Sequence, residues 1–141
     1  MARMPGSIDN LHFCTSNPRF DGMFVNVWKS LPLAARRRML RYFRSSTPIP
    51  FVVALTPQID DDQHTLGIWK SGSRCFLFWS EAVERLPDTL LRTLIAHELA
   101  HCCIDAYGHS DNNDEEFARE LSTTWGYDEE ALDDWIVQEL L

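Results

Sequence analysis

The chain has 141 residues, of which 45% are hydrophobic and 24% charged, and it carries a formal net charge of −8. That length supports one sizeable core, and no apolar run nears the roughly 18 residues needed to cross a bilayer. The acidity is uneven: residues 1–44 hold eight Lys/Arg against two Asp/Glu, and the rest hold five against nineteen. A chain this acidic is a poor nucleic-acid binder, because phosphate contacts reward clustered positive charge. The opening Met1-Ala2-Arg3-Met4-Pro5-Gly6 leads into polar sequence rather than an apolar leader. Cys14 and Cys75 are isolated, Cys102 and Cys103 are adjacent, and none has CxxC spacing, so reduced thiols and a cytoplasmic location are expected.

In chain order, Pro5, Gly6, Asn17 and Pro18 mark an irregular segment over residues 1–24. From Val25 to Arg44 the apolar spacing predicts helix, interrupted or started near Pro32, with a basic run over Arg36–Arg44. That run reads as a solvated face or as a docking surface for a partner or nucleic acid. Phe51–Leu55 reads as a buried strand ended by Pro57, and Ile59–Thr65 as a polar loop. Leu66–Trp69 and Arg74–Trp79 flank Lys70-Ser71-Gly72-Ser73, a hairpin signal. A long helix follows from an Asp88 cap to Tyr107, ended by Gly108. A second helix, capped by Asn113 or Asp114, shows Phe117, Leu121 and Trp125 on one face and stops at Gly126. Asp128 opens a third with Leu132, Trp135, Ile136 and Leu140 as its stripe. The layout is α+β: a small mixed sheet packed on helices, with two helices closing the chain.

The long helix contains His97-Glu98-Leu99-Ala100-His101. Histidines four apart project from one helix face, about a turn from each other, and two imidazoles so placed can share one zinc ion. Glu98 reaches the same side from another angle, where a carboxylate can take a proton from water and deliver it to a leaving amine. Leu94, Ile95 and Leu99 supply the buried side such a helix needs.

This HExxH segment, preceded by an apolar strand and followed by a glycine-ended helix, resembles the zincin metallopeptidases. It is similar in particular to compact intracellular SprT-like and ImmA/IrrE-like domains, over about Cys75 to Trp125. The resemblance implies a zincin-like fold over residues 1–141, a Zn2+ cofactor, and hydrolysis of a peptide or protein substrate. It also implies an edge strand, Arg74–Trp79, that pairs with extended substrate. A catalytic zinc takes a third protein ligand. The metzincin position is Tyr107, and the SprT-type histidine position is Asn113, ahead of Phe117.

Glutamate-type zincins use a carboxylate on the next helix, with an acidic residue one turn on steadying a histidine. Glu116 and Glu120 offer that spacing, so Glu116 is the expected ligand. Glu120 is the runner-up, favoured by helix-hairpin geometry, while Asp105 and His109 are more distant candidates. Glu116 also completes an Asn113-x-x-Glu116 capping box. Tyr107 or Tyr127 could donate to an oxyanion. The alternative is a catalytically silent zinc-binding domain, regulatory or partner-binding, on the same fold.

Overall fold

The computed structural model describes residues 7–8, 11–44, 51–57, 65–108 and 114–140. Near the start of the chain, the pair Asn17-Pro18 begins a helix instead of marking a loop. The Asn17 side chain accepts the Phe20 N–H at 3.1 Å, and Pro18 opens α1 (Pro18–Ser30), where a missing N–H costs nothing. Phe20, Met23, Phe24, Val27 and Trp28 then recur at helical spacing, and all are buried. With β1 (Ser7–Ile8) and β2 (Leu11–Cys14) ahead of it, α1 corrects the expectation of an irregular segment through residue 24. The residues that break a helix internally are the same ones that cap it. After the expected interruption at Pro32, α2 (Leu33–Arg44) buries Ala35 and Met39 and turns Arg37 and Arg41 to solvent.

The sheet adds β3 (Phe51–Thr56), β4 (Gly67–Lys70) and β5 (Cys75–Trp79), in the order β1-β2-β3-β5-β4. β2, β3 and β5 run parallel, while β1 and β4 are antiparallel to their neighbours. The protein is therefore α+β with a mixed sheet. The hairpin was expected, but its roles are reversed. Arg74–Trp79 pairs on both sides, Val53↔Phe76 with β3 and Trp69↔Phe76 with β4, so the edge strand is β4. The reason lies in alternation: Phe76 and Phe78 are both buried, which suits a central strand, while β4 has a glycine at one end and an exposed lysine at the other.

α3 (Ser80–Arg85) turns the chain into α4 (Asp88–Ala106), which packs against α1, α2, β4, α5 (Asp114–Thr124) and α6 (Glu129–Leu140). Asp88 does not cap α4 through its side chain. Its carboxylate instead receives Arg19 at 2.7 and 3.2 Å, while the same guanidinium also donates to the Val83 and Leu86 carbonyls. The far end follows expectation, with Gly108 at φ +84° and its N–H on the Asp105 carbonyl. The core lies between the sheet and α1/α4. Phe20 and Phe24 of α1 meet Phe76 and Phe78 of β5 edge-on at 5.0 to 6.3 Å, above Leu91, Ile95 and Leu99. Each such side chain contributes about 1.5–3 kcal/mol when fully buried. Among the described residues, no helix is long and apolar enough to cross a membrane.

Candidate metal centre

α4 is buried on nearly every side, from Leu91 to Ile104. A helix so enclosed places polar side chains where they must find partners, and His97 and Glu98 are 8% and 4% exposed. His97 is held at both ring nitrogens. Its Nδ1 faces both Glu129 carboxylate oxygens at 3.0 and 3.1 Å, and its Nε2 lies 2.8 Å from Glu115 Oε1. His101 Nε2 is 3.0 Å from the other oxygen, Glu115 Oε2. One carboxylate thus spans both imidazoles, whose rings stand edge-on with centroids 4.9 Å apart.

The electrostatics follow from this enclosure. Burial opposes charge on His97, but hydrogen bonds to Glu115 and Glu129 outweigh it and lift its pKa to about 10. The hydrogen bonds of His101 and His97 hold the Glu115 carboxyl well below the usual carboxylate range. Glu98 is pushed up by burial despite the two histidines beside it.

His97, His101 and Glu115 form a group that could hold a metal ion, their donor atoms all within 4.8 Å of one another. Around a tetrahedral ion with bonds near 2.0–2.1 Å, donors lie about 3.3 Å apart. The contacts of 2.8 and 3.0 Å need to open by only a few tenths of an ångström. The orientation is right as well: Glu129 occupies Nδ1 of His97, which leaves Nε2 for an ion. Ser122 Oγ donates to Glu129 Oε2 at 2.5 Å, and Arg119 Nη1 stands 3.6 Å from Oε1, so the supporting carboxylate is itself supported. The donor set fits a borderline cation such as zinc.

The carboxylate brought to the histidines is that of Glu115, one residue before the expected ligand. Glu116 and Glu120 are both exposed on α5 and outside the donor group. The cause is the rotation of α5. Its inward face runs through Glu115, Ala118 and Ser122, with Leu121 and Trp125 half-buried at its flank, whereas Phe117 is 39% exposed. Fully buried Ala118 packs with Ala100 and Ile104 of α4, and Leu121 and Trp125 close over that cluster from the flank. The large apolar residues 117, 121 and 125 suggested a face turned by about one position, and each residue turns the helix about 100°. The steadying carboxylate, expected one turn after the ligand at Glu120, comes from Glu129 at the start of α6.

The other candidates lie elsewhere. Asp105 accepts the Trp69 indole N–H at 3.1 Å, tying α4 to β4. Tyr107 is under the Arg38 guanidinium and Tyr127 pairs with Ser30; neither lines the cleft. Asn113 and His109 fall outside the described residues. Cys102 and Cys103 are buried free thiols, with burial pushing Cys103 up to about 11. Cys14 is an exposed thiol.

The histidines and Glu98 open into a cleft of about 470 Å³. One wall is the edge strand with the residues leading into it, Thr65 to Trp69; the other is Arg119 of α5 with Leu132, Asp133 and Ile136 of α6. Gly67 makes this packing possible, since a Cβ there would lie 3.3 Å from Glu98 Cγ and 3.0 Å from the Phe78 ring. Comparison with protein-family models, with curated proteins and with solved structures finds no match in any of the three.

Proposed function

We propose that this is a zincin-like metallopeptidase that binds Zn2+ through His97, His101 and Glu115 and hydrolyses peptide bonds. The observation that carries the reading is the convergence of both Nε2 atoms on the Glu115 carboxylate, beside buried Glu98 and an edge strand. A zinc ion held there supplies acidification of water and polarisation of a carbonyl. The protein's own groups do the rest. Glu129 and Ser122 fix the His97 ring so that Nε2 faces the cleft. β4 offers main-chain groups along which an extended peptide can lie. Glu98 takes one proton from water as oxygen bonds to the carbonyl carbon. It then delivers that proton to the amide nitrogen as the C–N bond breaks, yielding an amine and a carboxylic acid, whose remaining proton passes to the amine or to solvent to leave a carboxylate. Its burial keeps competing water away from that proton.

The test uses zinc-loaded protein and unfolded casein as substrate. Zinc-dependent cleavage should fall by at least ~100-fold in Glu98→Gln while the metal is retained. Cleavage indifferent to that substitution would overturn the mechanism. Zinc binding without cleavage in the wild type would favour a silent metal-holding domain instead.

A further inference from the structure

Hydrolysis of an amide places negative charge on the former carbonyl oxygen as water adds, and a site that accelerates it needs a donor aimed at that charge. Neither tyrosine reaches the cleft. Besides the histidines, the described side-chain donors lining it are Thr65, Trp69, whose indole is committed to Asp105, and Arg119. Arg119 is one turn after Glu115 on α5, so its side chain leaves the same helix face.

Its guanidinium is held rather than loose. Nη2 is tethered to Asp133 Oδ2 at 2.9 Å and Nη1 lies 3.6 Å from Glu129, the carboxylate that holds His97. A guanidinium carries five N–H groups in a rigid fork. One short tether leaves the greater part of that fork available to a ligand. The side chain is 36% exposed, so a ligand in the cleft can reach it.

Resting on the peptidase reading, we infer that Arg119 is a further catalytic residue, donating hydrogen bonds to the oxyanion of the tetrahedral adduct without giving up a proton. Asp133 is its positioning partner. The arrangement suits a planar fork and not a point charge, so lysine should replace it poorly.

The experiment measures binding of phenylphosphonate, whose tetrahedral oxyanion stands in for that adduct, to zinc-loaded protein, alongside zinc affinity itself. Arg119→Gln should weaken phenylphosphonate about tenfold or more, and Arg119→Lys by about threefold or more, in each case beyond whatever change the variant makes in zinc affinity. Should Arg119→Gln fail to fold, Arg119→Lys decides, because it keeps a cation between Glu129 and Asp133. Unchanged phosphonate affinity, no phosphonate binding by the zinc-loaded wild type, or a loss that merely tracks lost zinc overturns the inference and leaves the peptidase reading standing. Failure of the wild type to take up zinc removes the reading and the inference with it.

Discussion

His97 is the residue on which most of the site's interactions meet. It is pinned between two carboxylates, one exposed at the cleft and one buried among helices. The two glutamates serve it differently. Glu115 faces Nε2, so Glu115→Ala should abolish stoichiometric zinc uptake, whereas Glu116→Ala, on an exposed position, should leave it intact; elemental analysis of the two purified variants checks this. Equal loss in both would contradict the rotation seen for α5. Glu129 faces Nδ1, and removing a carboxylate that orients a metal-binding histidine typically weakens metal affinity about 10–100-fold. Glu129→Ala should show that loss in competition with a chelator. The residue-level lesson is that acidic side chains at 115, 116, 120 and 129 look alike in a sequence. Only the direction each one points separates ligand from support and from solvated surface.

Among the elements, α4, the edge strand β4 and the helices α5 and α6 bound the cleft, and the approach of β4 to α4 is set by Gly67. A methyl group at that position would press on Phe78 and Glu98 at 3.0 and 3.3 Å. Overpacking of this kind typically costs about 1–3 kcal/mol. Gly67→Ala should therefore lower the urea midpoint and, on the proposed peptidase reading, reduce turnover beyond what the stability loss explains by shifting Glu98. Equal stability and activity would mean that the Phe78 ring yields freely. The long helix, its glycine stop and the hairpin turn were legible because each carries a local signal: continuous apolar periodicity, a C-terminal glycine and a polar four-residue turn. The assignment of the edge was not. Which arm of a hairpin ends a sheet depends on whether a third strand, here β3, pairs with it. Likewise, the inward face of α5 rests on small residues, Ala118 and Ser122, which periodicity of large apolar residues passes over.

For the whole molecule, the protonation of His97 ties the candidate metal centre to the stability of the fold. In the metal-free protein His97 has a pKa raised to about 10 and is charged at neutral pH. Zinc needs the neutral ring, so loading at pH 7 should release about one proton from it. Calorimetric titrations in two buffers of different ionisation enthalpy measure that release, and none at pH 7 would mean that His97 is already neutral. The sign for metal-free stability is opposite to that for zinc affinity. A histidine whose folded pKa is raised above its ordinary 6.5 contributes stability that is fully present below 6.5. That stability is lost as the pH rises through about 10, just as zinc affinity climbs.

The sequence by itself determined the elements that depend on neighbours along the chain. These include the helix bearing His97, Glu98 and His101, the β3 strand and the hairpin, together with an α+β layout. Helical spacing alone puts two imidazoles on one face, because the 3.6-residue turn is a local property of the backbone. Tertiary structure decided what the histidines meet. Glu115 and Glu129 reach them from two later helices, with Ser122 and Arg119 standing behind Glu129, and the approach of Glu115 depends on how α5 rotates as Ala118 settles against α4. That rotation is set by packing between segments distant in sequence, which no local pattern encodes.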